Sequence, residues 1–417
     1  MFEYTKKWRS FHRAIGFWHQ LTNKKRNAVG AEAYFVKRFL VALVMLFFLI
    51  QLPTVEAAPS LEQSSVKTGA DNQAQVLWKL KGAGKPSTDL QFVPNGNILL
   101  PQAGQLTAVD TQGAIKWSVK IGGSSGYPVG AANGSIFVPG PSSIQEIKPN
   151  GVAGWSFSVY PATSGSSNAW LAYGQNNLYF PQASGLYTLD STGRLVALTH
   201  WNSSELRSTK PPSPFASMAC LAAGSDCYAI ESAGTDQFQL SVFDAQGKSL
   251  WNYWLGALKQ AFLLTGADGT VFIAAENKKA AQYNKGRVCS FAPNSTQPQW
   301  QTIISDNNFL GLARSAAGSL YLTMKGEMYA LDAKTGALLW KSPYDKLASP
   351  PATDNKTGRV YAGCSDGRLI AVGPTGRMDW DLSLDGAISR TPLIDAEGFL
   401  YVATDNGNLY KIKIPAE

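Results

Sequence analysis

The chain has 417 residues, of which 16% are charged, with 39 Gly and 12 Trp; this suits many short strands joined by tight turns and excludes a disordered polymer. Its net charge of +8 sits at one end, since residues 1–57 hold nine Lys/Arg against three Asp/Glu and the remaining 360 hold 28 against 26. A nucleic-acid-binding protein carries its charge on the folded part, so that class is excluded too.

The basic stretch 1–38 leads into an apolar run at 39–52, "FLVALVMLFFLIQL", and then into "PTVEAAPS". Charge, apolar core and a small-residue site together describe a secretory signal. Fourteen apolar residues rise about 21 Å as a helix, short of the ~30 Å hydrocarbon core. Val55 and Ala57 suit the −3 and −1 positions, so cleavage is expected after Ala57, which makes 1–57 a signal peptide. The alternative is an uncleaved signal anchor, the one route by which this chain would be held at a membrane. Residues 58–73, polar and rich in Ser, Gln and Gly, read as a flexible linker.

From residue 74 onward one phrase recurs. "AQVLW" ends at Trp78, "GAIKW" at Trp117, "GVAGW" at Trp155, "GKSLW" at Trp251, "STQPQW" at Trp300, "GALLW" at Trp340 and "GRMDW" at Trp380; "GRLVA" keeps the glycine but ends at Ala197. Ahead of each end lies a strand pair such as "GSLYLTMKGEMYALDAKTG", broken by a Gly, Asn or Asp turn, and ahead of each pair one further extended stretch. The intervals from Trp78 to Trp380 are 39, 38, 42, 54, 49, 40 and 40 residues. Four strands per unit of about 40 residues is the pattern of a β-propeller blade. The last pair, "GFLYVATDNGNLYKIK", lacks a tryptophan end, while "AQVLWKL" lacks a pair before it. The expectation is therefore an all-β, eight-bladed propeller of four-stranded antiparallel blades over 74–417. Its N-terminal strand would complete the last blade, removing free central edges.

Four cysteines occur, at 220, 227, 289 and 364; in an exported protein Cys220 and Cys227, in "CLAAGSDC", can bridge two strands across a hairpin, or stay as buried thiols. After cleavage one histidine remains, His200, so multi-histidine metal sites are absent. "GGSSG" at 122–126 matches a nucleophile-elbow pattern, but Ser124 lies between predicted strands where the elbow needs a strand-to-helix turn. "GAGKPS" at 82–87 lacks the first glycine of a phosphate loop. "CSDGR" and "TDNGN" stand where hairpin turns are required, and no calcium-ligand spacing continues from them.

"ALDAKTGALLW" at 330–340 resembles the tryptophan-docking motif A-x-D-x-x-T-G-x-x-x-W of the PQQ-like, quinoprotein-type β-propellers, through Ala330, Asp332, Thr335, Gly336 and Trp340. Partial copies, "AVDTQGAIKW", "TLDSTGRLVA", "VFDAQGKSLW" and "AVGPTGRMDW", extend the resemblance over about 75–415. It implies an architectural role for the repeat tryptophans, docked on neighbouring blades. One branch of that family oxidises alcohols or sugars with PQQ and Ca²⁺, typically stacking an adjacent Cys-Cys disulfide on the quinone. No two cysteines are adjacent in this chain, and no large insertions carry cofactor ligands. The resemblance therefore points to the non-catalytic, BamB-like branch: no enzyme, no cofactor, no metal, and a bacterial exported scaffold at the cell surface or envelope. A PQQ/Ca-dependent dehydrogenase is the first alternative. A BamB-like outer-membrane assembly scaffold is the second, against which the absence of a lipid-anchoring cysteine near the cleavage site counts.

The two long intervals locate a candidate binding face. Their extra length falls in three stretches, 200–216, 232–239 and 276–287, whose connections emerge on one side of a propeller in adjacent repeats. They carry Trp201, Arg207, Lys210, Lys278, Lys279, Tyr283, Lys285 and Arg287, with a charge balance of +3 once Glu205, Asp236 and Glu276 are counted. The expected partner is an envelope protein or an anionic polymer, bound by a monomer.

Overall fold

Asp332 through Trp340 show why the repeat folds as it does. Asp332 Oδ1 accepts from the backbone N–H groups of Lys334 and Thr335 at 3.0 and 2.8 Å and from the Thr335 hydroxyl at 2.8 Å, which closes the turn. These bonds hold the Asp332 carboxyl below its ordinary pKa, the Thr335 hydroxyl being the main cause. Gly336 then takes φ +72°, and a Cβ there would lie 2.4 Å from the Trp300 ring of the preceding repeat. Trp300 donates its indole N–H to Ala333 O at 3.1 Å, so the ring is fixed at both edges. Trp340 repeats the arrangement one unit on, donating to Pro374 O at 2.8 Å and lying against Gly376. Trp78, Trp117 and Trp155 likewise donate to Thr111, Pro149 and Ser191 carbonyls at 3.2, 3.0 and 3.2 Å. The phrase G-x-x-x-W is thus a relay, in which the glycine receives one tryptophan and the tryptophan docks on the next glycine.

The computed structural model describes residues 59–63, 73–122, 126–140, 142–158, 171–174, 176–182, 185–200, 215–220, 226–234, 237–266, 268–281 and 284–415. The chain divides into two units, 1–57 and 58–417, and the described strands all belong to the second. They are antiparallel and form a propeller. The innermost strands are short, as at Gln91–Phe92, Ala352–Thr353 and Leu393–Ile394, and the outermost, such as Ile115–Lys120 and Met378–Ser383, alternate between exposed and half-buried residues.

The number of blades corrects the expectation of eight: the described strands form seven sheets, not eight. Repeats four and five are not separate, because Ser249–Thr265 runs as one strand of 17 residues from the outside of the first to the inside of the second. Its first half pairs with Gln237–Phe243 and its second half with Val271–Ala281, giving one seven-stranded sheet among four-stranded neighbours. Periodicity counts the recurring tryptophan ends and not the blades, since no residue pattern states whether a connection leaves the sheet or continues as strand. Among the described residues, seven buried apolar clusters lie between neighbouring sheets. An eighth, around Leu255, Leu258 and Phe291, lies within the fused sheet between its two halves.

Closure joins strands far apart in sequence. Gln75–Lys81 pairs with Leu409–Lys413, with Gln75 opposite Lys413 and Leu80 opposite Leu409. The stretch read as a linker adds a further strand, Ser60–Gln63, to the outer edge of that blade, with all four residues exposed. Trp380 marks the seam: its indole N–H is buried without a hydrogen-bond partner. For Trp78, Trp117, Trp155, Trp300 and Trp340 the acceptor is a carbonyl in the turn between a blade's third and fourth strands. In the closing blade those two strands come from opposite ends of the propeller and no turn joins them.

Candidate functional site

The fused sheet carries the sector that the long intervals mark. Where two blades would ordinarily be linked by a loop, Leu255 and Leu258 are buried at 1% and 2% exposure, and the strand bends at Gly256. The next hairpin, Val271–Ala281 with Asn284–Phe291, is lengthened, and Ala281 pairs with Asn284 near its tip.

A buried carboxylate anchors the base of that hairpin. Glu276, 2% exposed, accepts from Lys259 Nζ at 2.8 Å, Gln260 Nε2 at 2.7 Å and the Phe309 backbone N–H at 3.2 Å. Burial pushes its pKa up, but the bonds from Lys259, Gln260 and the Asn308–Phe309 backbone outweigh burial, and the net shift is downward. Lys259 also reaches Asn308 Oδ1 at 3.3 Å. Gly286 on the return strand lies against Phe309, where a Cβ would stand 2.6 Å from both the ring and Ala275 O. The hairpin is thus fixed to the neighbouring sheet through its base, and Glu276 is not part of the surface charge that the sequence attributes to this stretch.

Of the sequence-selected residues, Lys278 and Lys279 are exposed beyond that base, and Lys285 is half-buried. Arg287 faces inward: its guanidinium donates to Leu255 O and to Asn277 Oδ1, tying the two halves of the fused sheet. Trp201, Arg207, Lys210 and Tyr283 lie outside the described residues. The structure adds Trp254, 56% exposed on the same continuous strand. Period-two alternation in "SLWNYW" carries its signal: Trp251 and Tyr253 are half-buried, while Leu250, Asn252 and Trp254 face outward. Seeing the repeat tryptophans as architectural hides this one, which does not dock.

The innermost hairpin of the fused sheet sets Cys220 opposite Cys227 in register. Cys227 is disulfide-bonded, while Cys289 and Cys364 are buried free thiols whose pKa values burial raises to about 11. Among the described residues no group of three or more His, Cys, Asp or Glu is placed to hold a metal ion.

A family model described as outer membrane protein assembly factor BamB matches residues 62–209 and 324–415, more than half of the chain. The unmatched interval, 210–323, contains the whole fused sheet. Over 179 residues the chain is 25% identical to Protein GAMETE EXPRESSED 3 of Arabidopsis thaliana, a match covering 40% of this chain and 28% of that protein. Among solved structures, BamB from Moraxella catarrhalis superposes with a TM-score of 0.57 at 14% identity, over 85% of this chain and all of that one. The Dos1 propeller superposes with a TM-score of 0.63 at 11% identity, over 80% of this chain and 94% of that one. At these identities the structural likeness is one of fold.

Proposed function

Because this chain belongs to the PQQ-like propeller family of the outer membrane protein assembly factor BamB, we propose that it is an exported, non-catalytic scaffold that binds an anionic envelope partner through the fused sheet. The observation that carries this reading is the lengthened hairpin at 271–291, anchored by buried Glu276 and presenting Lys278 and Lys279 beside a strand with exposed Trp254. This sector lies where the chain departs from its family's pattern, and a stacked core leaves such insertions free to acquire partners. Trp is among the residue types enriched at binding hot spots. The disulfide at Cys227 supports export, since such bonds persist in oxidising compartments. On this reading the signal is cleaved after Ala57, the propeller acts as a monomer and it needs no cofactor.

The second reading, a scaffold in outer-membrane assembly, is favoured by the family match and differs in the partner, which would be an assembly component. Capture from native envelope by the tagged mature chain tests both. Wild type should retain a partner whose binding weakens with salt. The pair Lys278→Glu and Lys279→Glu should lose it, and Trp254→Ala should weaken it while melting like wild type. If the folded variants capture the partner at unchanged salt dependence, this sector is not the site. Identification of the captured partner separates the two readings.

A further inference from the structure

Positions equivalent by register differ in kind where the chain enters its innermost strands. Leu393 pairs with Tyr401 as Ala352 pairs with Tyr361 and Gln91 with Leu99. Three residues before each stand Arg390, Ser349 and Thr88. Ser349 and Thr88 are buried hydroxyls at 0% and 4% exposure, and Ser349 Oγ accepts from Gly363 N at 2.7 Å within its own blade. Arginine is too long for that slot. Arg390 is half-buried, its Nε is fully enclosed without a hydrogen-bond partner, and no ion pair reaches its guanidinium among the described residues.

The segments entering two other blades lie beside Arg390. Asp89, entering the first blade, accepts from Thr391 N at 2.9 Å, so its carboxylate is held beside Arg390 without pairing to it. Tyr127, entering the second blade, is raised in pKa by burial and then by Asp89, and lowered by Arg390, which places it within the field of both. Gln91 joins these entries by donating to Pro128 O at 2.9 Å.

We propose that Arg390 forms a carboxylate-binding site where the chain enters the innermost strand of the closing blade. The terminal Nη1–Nη2 edge of the guanidinium is not enclosed as Nε is, and a carboxylate can satisfy two parallel N–H groups there at once. Asp89 holds the local net charge near zero, so recognition rests on directed hydrogen bonds and depends weakly on salt, unlike capture at the lysines of the fused sheet. The carboxylate can come from a free organic acid or from a peptide side chain.

Isothermal titration of the mature chain with succinate, with N-acetyl-Gly-Gly-Glu-Gly-Gly-amide and with the Gln counterpart of that peptide tests the site. Saturable binding of succinate alone indicates a free acid, and binding of the Glu peptide but not the Gln peptide indicates a peptide source; either supports the proposal. Arg390→Gln should weaken that binding about tenfold or more, which is ~1.4 kcal/mol. Arg390→Lys, which keeps the charge and loses the fork, should weaken it less. Both variants should melt like wild type, since the side chain has no protein partner to lose. The pair Lys278→Glu and Lys279→Glu should bind as wild type does, which separates this site from the fused-sheet surface. Equal affinity in wild type and Arg390→Gln, or no saturable binding of either carboxylate probe up to about 10 mM, overturns the proposal.

Discussion

Replacing Gly336 by alanine tests the tryptophan relay, because a matched control sits in the same sheet. Gly336 and Gly318 both have positive φ, +72° and +90°, so an alanine at either meets the backbone strain of the left-handed region. That strain is worth about 1–2 kcal/mol. They differ in surroundings. A Cβ at Gly318 meets nothing within 4 Å, whereas one at Gly336 meets Trp300 Cε3 at 2.4 Å, Trp300 Cδ2 at 2.6 Å and Thr302 Oγ1 at 2.7 Å. Trp300 cannot retreat freely, since its indole N–H is bonded to Ala333 O and Thr302 to Gly336 O at 2.6 Å. Overpacking of this kind adds about 1–3 kcal/mol. Gly336→Ala should therefore cost about 2–5 kcal/mol, against about 1–2 kcal/mol for Gly318→Ala. An unfolding entropy of about 2.1 cal/mol/K per residue, taken over the 360 residues of 58–417, makes 1 kcal/mol worth roughly 1.3 °C. Thermal melts should then show a fall of about 3–7 °C for Gly336→Ala and about 1–3 °C for Gly318→Ala. Equal falls would refute the relay, because backbone strain alone would then account for both.

Three further outcomes follow from the same geometry. Deleting Gln75–Lys81 should abolish cooperative melting, while deleting exposed Ser60–Gln63 should lower it by only a few degrees; matching melts would mean that the closing strand is dispensable. Glu276→Gln should cost about 1.5–3 kcal/mol at neutral pH through lost charge-assisted bonds. Because the folded Glu276 pKa lies below its ordinary value of 4.5, this contribution is complete above 4.5 and disappears as pH falls through the folded value. The melting gap between variant and wild type should therefore close on acidification, and a gap independent of pH would count against the buried ion pair. Intact-mass and peptide mapping of exported protein should find Cys220 bonded to Cys227, and reduction should cost about 2–3 kcal/mol for an eight-residue loop; a free Cys220 thiol would contradict this.

The repeat was legible because each of its residue types answers a local demand that no distant contact alters. Asp332 closes a turn, Gly336 leaves room for a ring and Trp340 spans the gap to the next blade, so spacing alone identifies a propeller and its closing strand. The candidate surface was legible only in outline. Interval lengths mark the sector, yet they do not tell exposed Lys278 and Lys279 from Arg287 turned inward to Leu255, or from Glu276 buried against Lys259. Trp254 looks like its docking neighbours until strand parity sets it outward. The blade count was decided by tertiary structure. A connection between repeats either leaves the sheet or continues as strand, depending on whether neighbouring chains offer hydrogen-bond partners on both sides. For Leu255–Leu258 those partners come from residues up to 32 positions away on separate hairpins. Local sequence therefore determines the repeating unit, while the fusion of two units is a property of their packing.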